Sequence, residues 1–172
     1  QVDGHINILD AWLDQGMELG NHNFGHKGLW NSPLADYQES IIRGDTMTQW
    51  LLSEREQKIR YYRHPYTQTG KNDSEKQALE SFLKARNYQV APFTMEHDDY
   101  LFSCVYDHYL QLKDQAALAK IKKEYLAHLD VAISTFETMS LELFERNINH
   151  VFLKHANALN ADTLGDTLAS FK

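Results

Sequence analysis

The sequence predicts an α/β fold in which parallel strands alternate with outer helices, as in an open sheet or a barrel. Three observations carry this. Segments with apolar residues at helical spacing are separated by short apolar runs of strand character, in the order α-β-α-β-α-β-α-α-β-α. Glycine, proline and capping residues punctuate the boundaries. Each strand run also ends in polar side chains, at the carboxyl ends where parallel α/β folds keep their functional groups.

The elements follow in order. Ile8, Leu9, Trp12 and Leu13 share a helical face over residues 6–15, and Gly16 is a stop signal. Residues 17–21 form a short strand delivering His22 and His26. Ser32-Pro33 reads as an N-cap followed by proline at the first helical position, opening a helix to about Glu56. Residues 58–64 are strand-like up to Pro65. Asp73 or Ser74 caps a helix ending near Asn87, and residues 88–94 form a short strand. Two helices, 98–112 and 115–146, come next. A strand at 148–153 and a helix at 162–171 complete the order. No repeat, linker or low-complexity segment interrupts residues 1–172, which read as a single domain.

Composition narrows the function classes. The 172 residues carry 17 basic against 24 acidic side chains, a net charge of -7. That balance argues against nucleic acid or an anionic membrane as partner. No run approaches the ~18 apolar residues of a membrane span, and no basic, apolar leader opens the chain. The single Cys104 excludes an internal disulfide, so localisation stays open.

Four polar clusters could do chemistry: His22 and His26; Arg63-His64-Pro65-Tyr66; Glu96-His97-Asp98-Asp99-Tyr100; and Lys154-His155-Ala156-Asn157. Strand ends converge in a parallel architecture, so the four are expected to share one cleft. Two imidazoles four residues apart in a glycine-punctuated turn can meet on one metal ion. That spacing alone is not diagnostic, since nine histidines give on the order of half such a pair by chance. Asp98 and Asp99 also suit the first turn of a helix, where carboxylates favour the positive end of the dipole.

In this order the clusters resemble the motifs of the polysaccharide deacetylases, carbohydrate esterase family 4 with a NodB-like fold. Gly16-Met17-Glu18-Leu19-Gly20-Asn21-His22-Asn23-Phe24-Gly25-His26 is similar to that family's metal motif, with Asn23 in place of the usual hydroxyl residue. Arg63-His64-Pro65-Tyr66 resembles its Arg-x-Pro-(Tyr/Phe) motif, with Thr67 where glycine usually follows. Glu96-His97-Asp98-Asp99-Tyr100 approximates Asp-x-x-Asp-Trp, and Leu153-Lys154-His155 matches Leu-x-His. The resemblance runs from about Leu9 to the end of the chain.

It implies an incomplete (β/α) barrel and a metal-dependent hydrolase that removes N- or O-acetyl groups from a carbohydrate. His22 and His26 would be ligands of a divalent metal, zinc being expected. Arg63 would orient the catalytic carboxylate, and Asp99 would partner His155, the general acid. Leu153 would line the pocket for the acetyl methyl. Tyr66 would shape the groove wall against the substrate. Apart from the resemblance, Trp30 and Tyr100, read as loop residues near the cleft, are candidates for stacking on a sugar ring. The family's Thr-Phe-Asp-Asp motif, which supplies the base and the third metal ligand, has no counterpart here, so the third ligand is not expected within the chain. Nor is the family's closing strand. The resemblance therefore implies a domain truncated at both ends. A catalytically inactive remnant that binds sugar is the alternative, and exposed strand edges would favour self-association.

Overall fold

The computed structural model describes residues 2–171. Contacts divide the chain into two compact units, Gln1–Pro92 and Phe93–Lys172.

In the first unit, α1 (Val2–Asp14) ends where Gly16 adopts φ +80°, as its lack of a Cβ permits. Leu13 packs with Leu19, Leu51 and Leu52, which joins α1 to α2 (Leu34–Ser53). The cap expected at Ser32 is not made, because its hydroxyl bonds back to the Gly28 carbonyl at 3.0 Å and Pro33 takes the N-cap position. A second cluster of Leu29, Tyr37, Ile41, Tyr62, Leu79, Leu83 and Tyr88 seats α2 against α3 (Asp73–Ala85). The cap of α3 is Asn72 rather than Asp73 or Ser74. Its side chain accepts from Glu75 N at 2.9 Å while the Glu75 carboxylate accepts from Lys71 N at 2.7 Å.

The strand content is small. β1 (Tyr61–Tyr62) pairs in parallel with β2 (Gln89–Val90), and Asn21 adds one parallel bridge to Tyr62. The parallel arrangement agrees with the expected order, but no barrel is formed among the described residues. The expected strand at 17–21 contributes only that bridge, because Leu19 turns into the α1/α2 cluster instead. Pro65 and Pro92, which lack an N–H, stand just beyond the paired residues.

The second unit is mostly helical. α4 (Asp99–Leu112) turns through Lys113, at φ +57°, into α5 (Gln115–Phe144). Asp114 caps α5 through Ala117 N at 3.0 Å. Tyr106, Leu118, Tyr125 and Leu159 form one core, and Met95, Leu129 and Ile133 another. The strand expected at 88–94 is realised only as β2, and the one expected at 148–153 narrows to a single parallel bridge between Phe152 and Met95. The helix expected at 162–171 begins earlier and is divided, as α6 (Ala158–Asp162) and α7 (Leu164–Ser170). Asn157 opens α6 by accepting from Asn160 N at 2.8 Å. No helix among the described residues is long and apolar enough to cross a membrane.

Candidate active-site residues in two units

In the first unit, Asn21 carries the turn that presents the histidines. Its buried amide donates to the Ile41 carbonyl at 2.8 Å and to the Asp45 carboxylate. Asp45 also receives Tyr88 Oη and, at 3.0 Å, Arg86 Nη2. Gly44 on α2 is required by this approach. A Cβ there would lie 2.7 Å from Asn21 Oδ1 and 3.2 Å from Phe24 N. Asn23, at φ +69°, accepts from the Ser40 hydroxyl and from Gly25 N.

His22 and His26 emerge together, their ring centroids 4.8 Å apart and edge-to-face. His22 Nδ1 lies 2.9 Å from the Arg63 carbonyl, which can only accept, so Nδ1 carries the proton and Nε2 the lone pair. That is the tautomer a metal-ligating imidazole adopts when its second nitrogen is anchored to backbone. Tyr66 packs edge-to-face on His26 at 4.7 Å. Nearby, Gln68 Oε1 accepts from Trp30 N at 2.9 Å, so exposed Trp30 and Tyr66 flank one stretch of surface.

Thr67 holds φ +56°, a left-handed conformation that a β-branched residue rarely adopts. The glycine usual in the resembled motif would suit that geometry. Arg63 donates to the Pro92 carbonyl at 3.1 Å, and burial lowers its pKa. His64, buried beside Arg63 and His22, is pushed down to about 4, chiefly by desolvation.

Among the described residues, no three His, Cys, Asp or Glu side chains could jointly hold a metal ion. His22 and His26 thus supply at most two ligands, whereas catalytic zinc normally takes three from the protein. By themselves they do not make a metal centre.

In the second unit, Asp99 is the first residue of α4 and its side chain is fully buried. The helix start and the partnership with histidine therefore belong to the same residue. His155 is half exposed, and its Nδ1 lies 2.7 Å from Asp99 Oδ1. Asp99 Oδ2 accepts from His155 N at 2.9 Å and from Asn160 Nδ2 at 2.6 Å. Burial alone would raise the Asp99 pKa, but these donors outweigh it and hold the group below the ordinary carboxylate range. An ionised Asp99 accepts from His155 Nδ1–H, which leaves Nε2 facing outward for proton exchange.

Leu153 is half-buried and donates its N–H to the Met95 carbonyl at 2.9 Å. Tyr100 is exposed, as a sugar contact would be, but it lies in the first turn of α4 rather than in a loop. Sequence reasoning had no role for Asn160, Tyr125 or His97. His97 stands in the sequence only as a member of the Glu96–Tyr100 cluster, and no local signal marks Tyr125 or Asn160.

No protein-family model matches the sequence, and no curated protein matches it. Solved structures do match, and they define the class as a carbohydrate esterase family 4-like fold. The wild-type family 4 pseudoenzyme of Bacillus anthracis aligns over 98% of this chain and 46% of its own, with a TM-score of 0.60 at 12% identity. A mutant of that pseudoenzyme with restored enzymatic activity aligns over 98% and 47%, with a TM-score of 0.57 at 13% identity. A family 4 carbohydrate esterase from Streptomyces lividans, in complex with acetate, aligns over 98% and 69%, with a TM-score of 0.53 at 16% identity. The chain spans about half the length of the pseudoenzyme structures, and the likeness is one of fold.

Proposed function

We propose that this chain acts in the hydrolytic removal of N- or O-acetyl groups from a carbohydrate, with His155 protonating the departing amine or alcohol. The observation that carries this reading is the buried Asp99, which holds His155 by both its ring Nδ1 and its backbone N. A half-exposed imidazole fixed by a buried carboxylate is the arrangement general acid–base catalysis needs. The family 4-like fold supports the same reading.

His22 and His26 are the two imidazoles the chain would give to a divalent ion, zinc being the expected one, with a further ligand from outside the described residues. Arg63 would orient a carboxylate base. Tyr66, Trp30 and Tyr100 would contact sugar rings, and Leu153 the acetyl methyl.

A second reading is an inactive deacetylase-like protein that keeps a sugar-binding surface. The two-imidazole set favours it, because no third ligand joins them among the described residues. Acetate release from chitooligosaccharides and acetylated xylan, with zinc supplied and bound metal measured by elemental analysis, separates the two. The enzyme reading expects bound zinc, turnover lost in His22→Ala, and turnover reduced at least ~10²-fold in His155→Ala. A folded protein that neither binds zinc nor releases acetate sinks it and leaves the second reading.

A further inference from the structure

Behind the Asp99–His155 pair lies a chain of hydrogen bonds whose direction can be worked out atom by atom. Asn160 Nδ2 meets two acceptors, Asp99 Oδ2 at 2.6 Å and the His155 carbonyl at 2.7 Å. Both are oxygens without a proton to give, so this side of the amide must be the NH₂ and its two hydrogens are spent there. Asn160 Oδ1 therefore faces Tyr125 Oη at 2.6 Å as an acceptor, and the tyrosine donates. With its proton so used, Tyr125 Oη can only accept from His97 Nε2 at 2.7 Å. His97 must then be the Nε2–H tautomer, with a lone pair on Nδ1, a buried atom that has no hydrogen-bond partner.

The members are well enclosed. Tyr125 has no exposure, while Asn160 and His97 are each 5% exposed. The tyrosine comes from the middle of α5, the asparagine from α6, and the histidine from the segment just before α4. Phe152 packs on the His97 ring at 4.6 Å and Phe102 on the Tyr125 ring at 5.5 Å, which fixes both rings. Burial holds His97 at about 4, so it stays neutral near pH 7, as the direction of the chain requires.

We propose that Asn160 and Tyr125, backed by His97, are positioning residues that set the orientation and proton affinity of His155 through Asp99. The inference rests on the reading of His155 as the proton-transferring group. Asn160 does two things at once. It takes up part of the Asp99 charge at Oδ2, and it clamps the His155 backbone through the carbonyl. Tyr125 keeps the amide from turning over, since an inverted Asn160 would set its oxygen against a carboxylate and a carbonyl. Because Tyr125 belongs to α5, the hydrogen bonds tie that helix, through Asn160, to the carboxylate that holds the imidazole.

The test is ¹⁵N–¹H long-range correlation NMR of the histidine rings in the full 172-residue chain, titrated with pH. Wild type is expected to show His97 as the Nε2–H tautomer throughout the neutral range. An Nδ1–H tautomer at His97 overturns the proposal without any mutation. In Asn160→Ala the Asp99 charge is no longer shared, and the His155 titration midpoint is expected to rise by about 0.5 pH unit. Tyr125→Phe, which keeps the buried shape, is expected to move it the same way by less and to release His97 into mixed tautomers. Folded variants whose His155 midpoint stays within about 0.1 unit of wild type refute the positioning role.

Should Asn160→Ala not fold, Tyr125→Phe and the wild-type tautomer still decide the matter. None of these readouts needs turnover. A protein that shows the expected shifts but releases no acetate retains the positioning network and loses the deacetylase reading. Where acetate is released, the variants should lower kcat with KM unchanged, because the groups they alter lie behind His155.

Discussion

His97 makes the stability of the protein depend on pH in a defined direction. Its ring is 5% exposed, and desolvation lowers its pKa from 6.5 to about 4. Asp99 opposes that shift, while Lys154, His128 and His155 reinforce it. The unfolded chain takes up a proton near pH 6.5 that the folded chain refuses until about 4, so between those values the unfolded state binds more protons. Stability therefore rises with pH through this window, is fully present above pH 6.5, and falls as pH drops toward 4. Complete loss corresponds to a shift of about 2.5 units, or about 3 kcal/mol, of which roughly 2 kcal/mol should appear between pH 7 and pH 4.5. His97→Gln provides the control, because glutamine can still donate to Tyr125 Oη but does not titrate. Urea unfolding of both proteins at the two pH values is the assay. Wild type should lose about 2 kcal/mol more than the variant on acidification. A gap between the two proteins that stays constant to within about 0.5 kcal/mol would refute the reasoning.

Other perturbations give further expected outcomes. Gly44→Ala should destabilise by about 1–2 kcal/mol in denaturant melts despite the better helix propensity of alanine, because Asn21 is held from three sides and cannot retreat. Thr67→Gly should stabilise by about 1 kcal/mol, since φ +56° suits glycine; no gain would argue against the left-handed geometry there. Asp99→Leu should cost about 3 kcal/mol, as it leaves His155 N and His155 Nδ1 without their acceptor and takes from Asn160 Nδ2 one of its two. Self-association through sheet edges predicts a mass above the 20.0 kDa monomer in light scattering at micromolar concentration, and a strictly monomeric mass opposes it.

The helices were largely legible in the sequence because apolar spacing and stop signals agree. Gly16 ends α1, and the break between α4 and α5 falls at Lys113-Asp114 as the periodicity implies. Caps were less legible, since Ser32 and Asn72 differ only in where their short side chains turn. Ser32 bonds backwards to Gly28, whereas Asn72 bonds forwards to Glu75. The strands are shorter than their apolar runs imply. Apolar runs such as 148–153 carry the right composition, yet Val151 is left exposed and only Phe152 finds a bridging partner.

The Asp99–His155 contact joins residues 56 apart in sequence, and motif order was what suggested it. Nothing local in the sequence joins Tyr125, deep inside a 30-residue helix, to an asparagine 35 residues later. That bond follows from tertiary packing alone.

The His155 network and the imidazole pair belong to different stretches of the chain. His97, Asp99, Tyr125, His155 and Asn160 all fall within Phe93–Lys172, whereas His22 and His26 fall within Gln1–Pro92. Each set is held by hydrogen bonds inside its own part of the chain. A substitution in either set can therefore be read against hydrogen bonds of its own stretch of chain.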